Sequence, residues 1–319
     1  MDPAHFFAAS RVLIVAGKGG VGKTTICATL AEAASRAGLS VLIVRLTPGG
    51  SLPRLFGSPE ITTTGTVLAP GTAERGEICG RLLTPDEALL DYLADHGLQR
   101  ITRRLVSSGA LDVVTTAAPG IRDLLVLGRV KQLETSRAAD LIILDAPAAG
   151  HAVSFLRSPA GLRDAVTAGP IATQAIDVIE MLADPRRCRV MLVTLPEETP
   201  VNELIETAFA IEDEVGVQLG PVVINALVPT LAGLDLGTPS PEPGFELDDG
   251  LLASMREAAS FRATWVARQR EQVDRLRVQL PLPLLTLPSR FTTDLGPEDL
   301  DALVDALTAG IDSLEGAVE

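Results

Sequence analysis

Residues 17–25 read Gly17-Lys18-Gly19-Gly20-Val21-Gly22-Lys23-Thr24-Thr25. The stretch fits the pattern G-x-x-x-x-G-K-[ST], whose spacing has a physical basis. Successive glycine amides curl into a concave nest around phosphate oxygens, which side chains would block. A helix opening at the end of the loop adds the positive end of its dipole. In such a loop Lys23 reaches the β- and γ-phosphates of ATP, and the Thr24 hydroxyl is a ligand for Mg²⁺. The flanks agree. Upstream, Arg11–Ala16 (RVLIVA) is a short apolar run leading into glycines, which reads as a buried parallel strand. Downstream, Thr24–Ala37 is alanine-rich with helical spacing and stops at Gly38, a good C-terminal cap. All nine residues from Gly17 to Thr25 are candidate ATP contacts.

Working outward, Ser40–Leu46 (SVLIVRL) is a second strand and closes a βαβ unit. Four more strand-like runs follow, at Asp140–Asp145, Arg189–Leu195, Gly220–Asn225 and Pro283–Leu287, separated by helical stretches. Alternation of this kind predicts an α/β fold with a doubly wound, mostly parallel sheet flanked by helices. Glu77–Leu83 is a further strand candidate, and Thr84-Pro85-Asp86-Glu87 is a helix start, with Thr as cap and Pro in the first position. From there to about Arg137 the chain reads as helices broken at Gly97, Gly109 and Pro119-Gly120. The expectation is one P-loop domain over residues 1–319, with a helical accessory lobe inserted at roughly 84–137. Thr230–Pro243 is a Gly/Pro-rich loop, and Leu251–Leu280 a long amphipathic helix.

Composition narrows the function classes. Among 319 residues, 27 Lys plus Arg stand against 41 Asp plus Glu, a net charge of −14. The acidic balance counts against non-specific binding to nucleic acid or anionic membrane. The C-terminus repeats the sign: after Arg290 come eight acids and no base. No apolar stretch approaches the roughly 20 residues of a membrane span, and the N-terminus lacks a secretory pattern, so the expected location is cytoplasmic. Cys27, Cys79 and Cys188 are far apart and form no C-x-x-C pair, which argues against a zinc ribbon or disulfide framework. Only three lysines occur among the 27 bases, Lys18, Lys23 and Lys131, and two of them lie inside the glycine-rich loop.

Lys18 is the more diagnostic of the two. GKGGVGKT is the deviant form of the phosphate loop, with a second lysine near its start. Here the sequence resembles the family of the arsenite-pump ATPase, the tail-anchored-protein targeting ATPase, the partition ATPases and the nitrogenase iron protein. The resemblance implies a dimer that sandwiches two ATP molecules, with Lys18 crossing to the partner's phosphates. Leu141–Pro159 (LIILDAPAAGHAVSFLRSP) looks like the second switch of the arsenite-pump and tail-anchor-targeting branch. Asp145 ends an apolar strand, where an acid can hold Mg²⁺ through water. Pro119-Gly120-Ile121-Arg122-Asp123 resembles a segment that communicates between nucleotide and helical lobe. Thr194-Leu195-Pro196-Glu197 followed by Glu203 resembles a T-x-P-E…E segment, whose second glutamate approaches the nucleotide across the dimer. Asn225 closes a strand as in the family's adenine-contacting loop, where an amide offers both donor and acceptor. Pro288 ends the last strand, where the family's backbone also contacts adenine.

One departure bears on mechanism. The first switch of this branch usually reads S-T-D-P-A-x-S-L, and its aspartate positions the attacking water. The matching stretch here is Arg45-Leu46-Thr47-Pro48-Gly49-Gly50-Ser51-Leu52. Thr47 can hold a water but cannot accept its proton at neutral pH. The resemblance therefore implies a slow ATPase that couples ATP state to a client or partner protein, as a homodimer or with a paralogous ATPase. The other reading is a non-hydrolysing ATP-binding subunit of such a heterodimer. Lys18, Lys23 and Asp145 are the candidate catalytic residues, and Thr24 and Asp145 the candidate Mg²⁺ residues.

Overall fold

In the computed structural model, residues 1–95, 97, 120–166, 168–231 and 248–316 are described. After a short helix α1 (Pro3–Ala8), the apolar run becomes strand β1 (Val12–Gly17), buried along its whole length. The loop then leads into α2 (Lys23–Arg36) and β2 (Val41–Arg45), so the expected βαβ unit forms. The chain continues through α3 (Leu52–Leu55), β3 (Thr66–Ala69), β4 (Ile78–Leu82) and α4 (Pro85–Asp95). Thr84 caps α4 as its sequence predicts, its hydroxyl accepting the Glu87 amide at 3.2 Å. Next come α5 (Ile121–Thr135), β5 (Leu141–Ala148), α6 (Ala149–Ala165), α7 (Pro170–Ala183) and β6 (Cys188–Thr194). The remaining elements are α8 (Glu198–Ala210), β7 (Val222–Leu227), α9 (Asp249–Gln279), β8 (Leu284–Pro288) and α10 (Pro297–Asp312). Residues 96 and 98–119 of the expected accessory lobe, including the break at Gly109, lie outside the described residues. So does most of the Thr230–Pro243 loop.

The eight strands form one sheet in the order β3-β4-β2-β5-β1-β6-β7-β8. All neighbours pair parallel except β3 with β4. The fold is α/β, mostly parallel and flanked by helices. The sequence reading did not identify β3: it is a four-residue antiparallel edge strand, buried only at Leu68, and lacks the long apolar run that marks the central strands.

Side chains alternate between the two faces of a strand, so residue parity assigns each one to a layer. Val12, Ile14 and Ala16 of β1, Ile142 and Leu144 of β5, and Val190 and Leu192 of β6 enter a core shared with α4 through α8. Leu13 and Val15, Leu141 and Ile143, and Met191 and Val193 enter a second core with α1, α2, α3 and α10. Leu300, Leu303, Val304, Leu307 and Ile311 line the buried face of α10. Asp301 and Asp305 of α10 lie off that face and pair with Arg36 of α2.

A parallel sheet carries its ligand sites at the carboxyl ends of its strands, where the chain order reverses. Here the chain leaves β1 toward β2, returns to β5 on one side of β1, and then crosses to β6 on the other. The glycine-rich loop emerges at that reversal. Among the described residues, no helix is long and apolar enough to cross a membrane.

Candidate functional site

Strand parity places the acid. Asp145 has the parity of Leu141 and Ile143, so it points to the α2 side of the sheet, toward the helix that the loop opens. Its register partners are Val15 on β1 and Arg45 on β2. The Thr24 hydroxyl, in the first turn of α2, donates to Asp145 Oδ2 at 2.7 Å. These are the two groups that the sequence offers to Mg²⁺. One hydroxyl and one carboxylate side by side are hard oxygen donors of the kind Mg²⁺ takes, so Thr24 and Asp145 are the residues that would hold it. The described residues contain no group of three or more His, Cys, Asp or Glu arranged to hold a metal by themselves.

The loop is curled in the way its glycines allow. Gly20 and Gly22 have φ of +87° and +91°, in the left-handed region that disfavours any residue with a Cβ. Lys23 folds back over the loop and donates to the carbonyl oxygens of Gly17 at 3.0 Å and Lys18 at 3.2 Å. Burial lowers the pKa of the Lys23 ammonium from its ordinary value, and the Asp145 carboxylate opposes that shift. Beneath it, Cys27 is fully buried. Burial pushes its thiol well up, Asp145 adds to the rise, and Arg45 and Lys23 act against it. One acid and two bases thus share the floor of the loop.

The other candidate residues are distributed around this floor. The Lys18 ammonium reaches the Glu203 carboxylate of α8 in the same chain, at 2.6 Å, although the two lie 185 residues apart. Asn225, on β7, donates from Nδ2 to the Val21 carbonyl at 2.9 Å, and its Oδ1 accepts the Ala226 amide at 2.9 Å. The amide expected at an adenine edge therefore already makes one bond to the loop and one within its own turn. Pro288 ends β8 in register with Leu227 of β7, which brings it to the same rim as Asn225. Thr47 follows β2 and is exposed. In the segments expected to form switches, the His151 imidazole and the Arg122 guanidinium lie near enough to lower the pKa of Asp123, but its burial is the larger effect and raises it.

Arg45 is the residue that the sequence reading passed over. It is 7% exposed, and its Nε lies 3.5 Å from Asp145 Oδ2. An arginine at the end of a strand whose other residues are all apolar was the available signal. Its meaning depends on the register of β2 against β5, which composition and spacing do not supply.

The family profile described as anion-transporting ATPase matches residues 10–174, which includes the loop, Arg45 and Asp145. ATPase BagA of Mycobacterium tuberculosis is 33% identical over 229 residues, covering 69% of this chain and 66% of that protein. The arsenical pump-driving ATPase of Escherichia coli is 26% identical over 245 residues, covering 68% of this chain and 39% of that protein. A protein of Schizosaccharomyces japonicus named ATPase get3 is 30% identical over 156 residues, 48% of this chain and 45% of its own. The matches to these relatives thus span from under half to about two thirds of their lengths.

The loop geometry makes a prediction. A Cβ at Gly22 would overlap Asn225 Nδ2, at a backbone φ that already disfavours side chains. Gly22→Ala is expected to lower the unfolding free energy by about 1–3 kcal/mol in urea titration and to weaken nucleotide binding. Wild-type stability together with wild-type nucleotide affinity would contradict this account of the loop.

Proposed function

The chain belongs to the anion-transporting ATPase family, and we propose that it is a dimeric nucleotide switch that binds ATP and hydrolyses it slowly to ADP and phosphate. The observation that carries this reading is the bond from the Thr24 hydroxyl to Asp145 directly beneath a glycine-rich loop capped by Lys23. On this reading the loop amides and the start of α2 bind the phosphates, and Lys23 exchanges its two carbonyl partners for phosphate oxygens. Thr24 and Asp145 orient the cation, the former directly and the latter through water. Bound Mg²⁺ would neutralise charge on the β- and γ-phosphates.

Lys18 acts across the dimer. To do so it must leave Glu203, and the magnitude of that cost matters. Both side chains are more than a third exposed, at 36% and 39%. An ion pair so hydrated contributes about 0–1 kcal/mol, so a partner's phosphate competes for Lys18 without difficulty. Glu203, once released, is free to face the partner. The ATP-bound pair then differs from the empty chain in which surface α8 presents, and that difference couples nucleotide state to a client or partner protein.

Thr47 supports a second reading, in which this chain binds ATP without turning it over and a paralogous ATPase does the hydrolysis. A threonine hydroxyl can position water but is no base at neutral pH.

Three outcomes are expected. Lys23→Ala removes nucleotide binding, and unchanged affinity by calorimetry would defeat the site assignment. Lys18→Ala retains binding of ADP but loses the ATP-dependent increase in mass seen by light scattering, alone or with a co-expressed paralogue. A monomer in wild type under both conditions would defeat the dimer. Thr47→Asp raises steady-state phosphate release by about tenfold or more. No change from a near-zero wild-type rate would favour the non-hydrolysing subunit.

A further inference from the structure

We infer that Arg45 supplies, from within the chain, part of the positive charge that the phosphate end of the site otherwise takes from a divalent cation, so that nucleotide binding by this protein depends only weakly on magnesium. The inference rests on the nucleotide reading above.

Arg45 and Asp145 are opposite one another on neighbouring parallel strands, and both point to the α2 side. Their side chains are 8% and 9% exposed. A charge this well removed from water is weakly screened, so its field is felt by whatever sits above Asp145. Asp145 is already contacted by Thr24 at 2.7 Å and by Arg45 at 3.5 Å. It faces Lys23 as well, close enough for the carboxylate to act on that lysine's pKa. Two bases and one acid leave the floor with a net positive charge before any cation arrives.

The guanidinium is also held in place. Its Nη1 donates to the Gly49 carbonyl in the loop that follows β2. Gly50 sits against it with φ of +94°, and a Cβ there would lie 2.8 Å from Nη2 and 3.0 Å from Nη1. The glycine pair therefore makes room for the arginine. Yet the buried Nε has no hydrogen-bond partner. A buried donor without an acceptor is costly, and a guanidinium is suited to anionic oxygens because its N–H groups form a planar fork. The guanidinium, its Nε 3.5 Å from Asp145 Oδ2, keeps its charge beside the carboxylate that Thr24 contacts and Lys23 faces.

A structural role that left the charge at Asp145 untouched would change affinity equally with and without metal. The test is therefore a ratio. ADP, which is not hydrolysed, is titrated calorimetrically into the full chain with saturating magnesium and again with EDTA. In wild type the dissociation constant is expected to change by less than about threefold. In Arg45→Gln, which keeps a hydrogen-bonding group for Gly49 but removes the charge, it is expected to change by about tenfold or more. Arg45→Lys is expected to stay near the wild-type ratio. A wild-type ratio above about tenfold overturns the inference even if Arg45→Gln fails to fold, and so does a ratio that rises less than about threefold on substitution. No binding of ADP by wild type with magnesium overturns the nucleotide reading and this inference together, whereas binding with equal ratios overturns the inference alone.

Discussion

A carboxylate inside a central parallel strand has no cheap solution. Removing such a charge from water costs several kcal/mol unless neighbours replace the hydration shell. Asp145 is 9% exposed as a side chain, and the strands around it are arranged to meet that demand. From the helix side, Thr24 supplies a hydroxyl; from β2, Arg45 supplies a charge; from the loop, Lys23 supplies a second. The β2-β5-β1 order and its register are what bring these groups together. The same demand explains why this floor can accept an anion. The groups that neutralise one carboxylate carry more positive charge than it needs.

How much of this the sequence disclosed depends on how far apart the partners are in the chain. The loop, β1 and α2 are contiguous, so a motif and two periodicities located them to within a residue or two. The central strands were legible because both of their faces are covered by helices, which demands continuous apolar runs. The edge strand β3 is half of an antiparallel pair at the margin, and no such demand acts on it. Site residues divide on the same line. Thr24 and Asp145 could be paired in advance because a known loop chemistry joins them. The cis pairing of Lys18 with Glu203, and the seating of Asn225 on Val21, follow from β6, which leads into α8, lying beside β1 with β7 next beyond it. No local pattern carries that order.

The layers on either side of the sheet are also unlike one another in what they do for the site. The layer of α2 and α10 is closed by apolar packing from Leu300 to Ile311, and its surface acids pair with Arg36 and Arg54. The helix that the glycine-rich loop opens is packed within it. The opposite layer contains α5, whose first turn places Asp123 near His151 at the start of α6, directly after β5. Whatever alters β5 at Asp145 is therefore one short segment away from the face that α5 and α6 present. Proteins transmit small shifts through such packed elements because cores and interfaces tend to have discrete arrangements rather than continuous ones.

The two unusual residues of the first switch belong together in this light. Set against the pattern S-T-D-P, the stretch Arg45-Leu46-Thr47-Pro48 loses an acid at Thr47 and gains a base at Arg45. Each exchange moves the formal charge by one unit, and both move it toward positive. The sum is a change of two units over the stretch from Arg45 to Thr47, the same charge a divalent cation would bring. Thr47 alone reads as a lost catalytic group, and Arg45 alone as a buried tie between strands. Taken together they shift the electrostatics of the phosphate end in one direction. On the proposed reading, a site so altered gains less from the cation and lacks the acid at the first switch, and both changes favour holding a nucleotide over turning it over. The glycines at 49 and 50 make the pairing sterically possible, since they leave the space the guanidinium fills. The departure from the family pattern is thus a coordinated change across six residues, with its physical focus on a single carboxylate.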